Sequence, residues 1–234
     1  VGVTGISAEE MRETIESVES TEKCEIVSAI WTAADYYYGS MNSDDAMSNE
    51  FQIFDSSQLT ELNAFPEEYK NLRDDEIVLP YYLSYSISIG EDYTIKIGGR
   101  EHNFKVAGYV ENLYFATTMN ISGVYSLVSH NVFEQMSADT DEVSHMVVAY
   151  ADAKEGTDMD EYDLAVQRAL PGELSAFTVT KETMEMATTA VSKIASSLIM
   201  VFTLLLIAMS VIIMHFSIKN FIELNIQNIG LLQA

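Results

Sequence analysis

From Ile194 to Ile218 the chain carries no Asp, Glu, Lys or Arg, an apolar run of 25 positions bounded by Lys193 and Lys219. As a helix rising ~1.5 Å per residue, the run reaches roughly 37 Å, enough to cross a hydrocarbon core with some tilt. Fourteen of its positions are Leu, Ile, Val or Phe, each favouring insertion by roughly 0.3–0.6 kcal/mol. Against them stand a few Ser and Thr and the single His215. The pattern predicts a transmembrane helix over residues 194–218. A buried helix of a soluble protein is the alternative, but such helices are shorter and usually keep a charge on one side. The run lies too far from the N-terminus for a secretory signal.

Ahead of it the periodicity alternates between helical and extended. Ser7 and Glu10 have capping-box spacing, and Met11, Ile15 and Val18 recur at four and three, which predicts an amphipathic helix over 8–20. Glu25 to Trp31 reads as a strand, and residues 33–50, with Gly, Ser, Asn and Asp after three tyrosines, as a loop. Glu76 to Leu79 is a strand ended by Pro80. Tyr93 to Val110 is a hairpin about Gly98 and Gly99, paired glycines that supply the positive φ of a tight primed turn. Val124 to Val128 and His145 to Tyr150 are strands. Asp158 to Leu170 is a helix capped through Thr157 and Asp160 and stopped by Pro171 and Gly172, with a strand at Phe177 to Thr180.

These elements predict an α+β fold. Residues 1–50 and 129–180 would form a mixed α/β subdomain from both ends of the segment, with a β-rich subdomain, 51–128, inserted between them. From Lys181 no breaker precedes the membrane span. Met184, Ala187, Val191, Ile194, Leu198, Val201, Leu205, Ala208 and Ile212 alternate by three and four in a heptad stripe. We expect a stalk helix, 181–193, whose Met184, Ala187, Val191 and Ile194 pack on a neighbouring helix or on the domain, then the transmembrane helix 194–218 and a segment 219–234.

Charge sharpens the division. Of the net charge of −24, nothing comes from residues 194–234, where Lys219 and Glu223 cancel. The acid therefore lies wholly in residues 1–193, where it keeps the surface solvated and repels nucleic acid and anionic lipid. A single cysteine, Cys24, excludes an intrachain disulfide and reads as a small core residue, and an outward-facing domain without disulfides fits a bacterium. The chain starts at Val1 without methionine and stops at Ala234 just after a new helical pattern begins, so both ends read as cuts in a longer protein.

Candidate chemistry is sparse. His102, His130, His145 and His215 lack metal-ligand spacing, and no Ser/His/Asp set stands out, so we expect no enzyme activity, metal or cofactor in this chain. The acidic stretch Asp152 to Asp163 has Lys154 where a calcium loop needs an oxygen, and reads as loop and helix start. The tyrosines at 36–38 and at 81, 82 and 85 either pack in the fold or line a ligand surface.

Two stretches resemble the FtsX/MacB-like permease family of ABC transporters. Residues 75–112, DEIVLPYYLSYSISIGEDYTIKIGGREHNFKVAGYVEN, are similar to that family's extracytoplasmic pattern of a strand ending in a "vvlp"-like motif, a Gly-containing turn and a strand ending "f.V.Gyv". Residues 218–234, IKNFIELNIQNIGLLQA, resemble the segment after the second membrane helix, with its "IGxLxALG"; Gln227 and Asn228 stand where many members carry Arg-Glu or Lys-Glu. The resemblance implies further membrane helices before Val1 and after Ala234, a second permease copy or paralogue, and a bacterial, Gram-positive cell membrane with residues 1–193 outside. It also implies a separate ATP-binding subunit holding ATP and magnesium, since no Gly-Lys-Ser/Thr is present here. Ile222, Glu223, Ile226, Ile229, Gly230 and Leu231 would form the cytoplasmic coupling helix resting on that subunit, and the substrate would be a peptide, lipid or envelope protein. Without the resemblance, 219–234 reads as an interfacial amphipathic helix, and the chain as a membrane-anchored sensor or ligand-binding module.

Overall fold

The structure, a computed structural model, describes residues 2–3, 6–58, 61–62, 66–111, 123–138, 143–170 and 180–231, with C-terminal helix side chains described at Met186, Thr189 and 192–226. Two compact units divide the chain, Val1–Glu185 and Met186–Ala234.

The first unit is built on one mixed sheet. Its elements are β1 (Gly2–Val3), α1 (Ala8–Glu16), β2 (Thr21–Tyr38), β3 (Met47–Asp55), β4 (Glu76–Pro80), β5 (Asp92–Ile97), β6 (Arg100–Val110), β7 (Val124–Val128), α2 (His130–Ala138), β8 (Ser144–Ala153) and α3 (Met159–Ala169). The strand order is β1-β8-β2-β3-β7-β4-β6-β5, and β5 returns to pair with β2. The 18 residues of β2 make this possible. Thr21 to Trp31 pair antiparallel with β8, Ala29 to Tyr36 with β3, and Asp35 to Tyr38 with β5. Six strands thus close a barrel, β2-β3-β7-β4-β6-β5, while β8 and β1 extend the first half of β2 as a wing. Residues expected in an inserted β-rich subdomain and those expected to flank it share this one sheet.

Alternation along the strands fills three cores. Ile30, Phe51, Ile53, Ile77, Leu79, Tyr93, Ile95, Phe104, Val106, Val124 and Val128 pack together as the barrel interior, and Val132, Phe133 and Met136 of α2 join them. On the wing, Met11 and Ile15 of α1 and Tyr162 and Val166 of α3 pack with Cys24 and Ala149. Phe54, Val78, Val110, Tyr125 and Leu127 point the other way from the barrel strands, and Leu62, Tyr69 and Leu72 pack on them.

The structure corrects the sequence reading at several places. Residues 33–50 are largely strand, not loop. Met47 to Glu50 pair with β2, but β7 joins the other edge of β3 only from Phe51, which leaves the polar Ser48, Asn49 and Glu50 on a sheet margin. α1 stops at Glu16, with Ser7 accepting the Glu10 N–H at 3.2 Å. α3 is capped by Asp158, whose Oδ1 accepts the N–H groups of Asp160 and Glu161 at 3.0 and 3.1 Å, and Thr157 is not the cap. α2 was not anticipated. Residues 177–179 of the last expected strand lie outside the described residues. The β5–β6 turn places Gly98 and Gly99 at φ 53° and 83°, as a primed turn requires.

Gly108 sits at the one irregularity between β4 and β6, where Ile77 faces Val106 but Val78 faces Gly108. A Cβ there would collide with the Tyr69 hydroxyl and ring. Overpacking of this kind costs ~1–3 kcal/mol. Gly108→Ala should therefore lower the unfolding free energy of the domain by about that amount in chemical denaturation, and Tyr69→Phe in the same background should recover part of the loss.

Candidate functional site

The second unit is dominated by α4 (Lys181–Leu231), an uninterrupted helix of 51 residues. No proline or glycine interrupts it before Gly230. Its Ser192–Ile226 portion is long and apolar enough to cross a membrane, and the most apolar 18-residue window within it has a mean hydropathy of 2.8 and is 0 % buried. The hydrophobic side chains are exposed on every face: Leu198, Ile199, Met200 and Val201, which step ~100° round the helix, are each more than half exposed. Summed at ~0.3–0.6 kcal/mol each, the fourteen Leu, Ile, Val and Phe side chains of residues 194–218 favour hydrocarbon over water by roughly 4–8 kcal/mol.

Three of the hydroxyls in this portion are satisfied within the helix. Ser197, Thr203 and Ser210 each donate a hydroxyl to the carbonyl four residues earlier, Lys193, Ile199 and Leu206, at 2.8 Å. That pattern removes the cost of taking a hydroxyl into a medium with no water.

The residues expected to act at the two ends of the span are placed as follows. Ile194 is exposed, and the side chains of Met184, Ala187 and Val191 lie outside the described residues. Ile222 and Ile226, 49 % and 60 % exposed, are on the same side of α4 one turn apart. Glu223 faces Lys219 at 3.7 Å, an exposed pair of small energetic weight. The backbone stays helical through Leu231, while the side chains at Ile229, Gly230 and Leu231 lie outside the described residues.

In the first unit the tyrosines split between the two readings. Tyr36 and Tyr38 stack on Tyr93, centroids 5.8 and 6.4 Å apart, and Tyr36 meets Phe51 edge-on, so this group is core packing. Burial first, then the neighbouring tyrosines, pushes the Tyr93 phenol well above its ordinary range. Tyr81 and Tyr85 instead lie exposed, in edge contact at 6.5 Å.

The polar group that sequence reasoning missed gathers where β3 and β7 end. Asp55, side chain inaccessible, lies 2.8 Å from Nδ1 of His130. Its Oδ1 accepts the Ser57 N–H at 2.8 Å, and Gln58 donates to Oδ2 at 3.4 Å. Asp74, just before β4, accepts from Ser129 and from Asn131. Ser129 in turn accepts the Val132 N–H at 3.3 Å as the cap of α2. A signal was present: Ser129 stands three residues before Val132, and Val132, Phe133 and Met136 have helical spacing. Among the described residues, no three His, Cys, Asp or Glu side chains are grouped to hold a metal ion.

No protein-family model and no curated protein matches this chain. Among solved structures it is similar to a domain provisionally described as part of a permease, from Porphyromonas gingivalis. The two share 15 % identity over 78 % of this chain and 88 % of that one, with a TM-score of 0.40, a likeness too loose to fix fold or function.

The single thiol is chemically quiet. Burial, and then the charge of Glu16, raise Cys24 from 9.0 to about 11. Because only the thiolate attacks, a two-unit elevation leaves ~100-fold less reactive form at neutral pH. Maleimide labelling followed by mass spectrometry should show Cys24 at least that much slower than a free thiol until denaturant is added; rapid labelling of the folded chain would contradict its burial.

Proposed function

We propose that this chain is part of the permease subunit of an ABC transporter of the FtsX/MacB type. In this reading residues 1–193 stand outside a bacterial cell, α4 crosses the membrane, and the segment after the span meets a separate ATP-binding subunit. The observation that carries it is α4 itself: an unbroken helix with an apolar surface on all sides and internally satisfied hydroxyls. The second support is the resemblance of residues 218–234 to the family's coupling segment.

Mechanically, a continuous helix is the part that such a task needs. A helix resists bending where it has no proline, glycine pair or inserted water in its hydrogen-bond ladder. Displacement at one end, driven by closure of ATP-binding subunits, is then carried to the other as a rigid-body shift. The work done outside would be export or extraction of peptides or lipids, or regulation of an envelope protein. The chain would hold no nucleotide or cofactor of its own, and a second permease copy or paralogue would complete the membrane part.

The contact with the ATPase is the testable joint. In the full permease co-expressed with its ATP-binding subunit, Ile222→Asp with Ile226→Asp should abolish permease-stimulated ATP hydrolysis, while membrane fractionation still recovers the protein in the bilayer. Stimulation at the unsubstituted level would overturn the placement of this segment on the ATPase.

A further inference from the structure

The start of α2 is held by carboxylates from two other elements. Ser129, His130 and Asn131 are consecutive, and their side chains all bond to Asp74 or Asp55. From the next residue on, the helix sends Val132, Phe133 and Met136 into the barrel core. Asp55 continues the inward-facing series of Phe51 and Ile53 on β3, so the histidine is fastened to the last inward residue of a barrel strand. A carboxylate at a helix N-terminus is favoured by the free N–H groups there. Buried and short of a partner, the same carboxylate is costly.

Of these groups only His130 changes charge near neutral pH. The ionisable groups facing it are Asp55 from β3 and Glu134 from the next turn of its own helix; Asp74 faces its two neighbours. All three are acidic. The hydrogen bond to Asp55, then the charge of Asp55, raise His130 above its ordinary 6.5; partial burial opposes this and Glu134 adds to it. A raised histidine contributes stability that is fully present below about 6.5 and is lost as pH rises through the folded-state value. A neutral ring can still donate through Nδ1, but as a dipole and not as a cation.

We propose that Asp55 and His130 form a proton-operated clip that seats α2 as the stopper of the barrel, tight with the imidazolium and slackened when the ring is neutral. This reading does not depend on what the membrane helix couples to. It concerns how often one end of the outer domain opens, and it makes that frequency rise with pH.

The test is hydrogen exchange of the full chain in detergent micelles, read by mass spectrometry between about pH 5.5 and 8.5 with the intrinsic chemical rate divided out. Peptides covering α2 should lose protection several-fold above neutrality, while peptides covering α1 and α3 keep theirs. In His130→Gln, a change at a side chain more than half exposed, the α2 peptides should lose their pH dependence across that range. An imidazole titration by NMR should place His130 above 6.5 in the unsubstituted chain. Protection of α2 that does not change with pH, or an unchanged decline in His130→Gln, would overturn the clip.

Discussion

Between Ile194 and Ile218 the side chains of α4 are almost all ones that water accommodates poorly, and the large hydrophobic ones among them are exposed. Apolar surface on this scale must leave water, at ~25 cal/mol per Å². The first unit solves the same problem internally, by closing strands into a barrel and laying helices on a wing. The second leaves the solution to its surroundings, and a bilayer is the medium that fits both the length and the internally bonded hydroxyls. The net charge of −24 then makes sense as a property of residues 1–193 alone: it keeps in water a domain whose chain continues into an apolar span.

Within the first unit, β2 does for the sheet what α4 does for the chain: it joins two regions without a break. Its first half belongs to the wing with β8, its last four residues to the barrel seam with β5, and β3 overlaps both. Cross-strand pairing along so long a strand leaves no point at which wing and barrel can part without breaking ladder hydrogen bonds. The barrel end where β3 and β7 finish is filled by α2, whose seat uses one buried carboxylate, Asp55, and one exposed one, Asp74, and not only apolar contact. Weak points in a fold are found where few hydrogen bonds and small helices do the closing, and α2, with nine residues, is such an element.

Much of this was legible in the residues, for reasons that can be named. The span over 194–218 shows in composition alone. The β5–β6 hairpin shows because Gly98 and Gly99 sit between alternating strands, and β7 because Val124 to Val128 are apolar but for Ser126, as suits a strand covered on both faces. β3 and the far half of β2 were missed because their polar positions lie at a sheet margin or a barrel seam, where neither strict alternation nor a continuous apolar run is required. α2 was missed because nine residues give little more than two turns of periodicity. The Asp55–His130 pair was illegible for a different reason: 75 positions separate the two residues, and only the parallel pairing of β3 with β7 brings them together.

A helix that crosses a bilayer puts the residues before it and those after it on opposite sides of the membrane. In the full-length protein, with Cys24 buried and silent, a cysteine at Glu101 or at Leu224 can be offered to a membrane-impermeant maleimide in intact cells. We expect Glu101→Cys to label at once and Leu224→Cys only after the membrane is permeabilised. Labelling of both in intact cells, or of neither until permeabilisation, would contradict a helix that crosses the bilayer with the acidic domain outside.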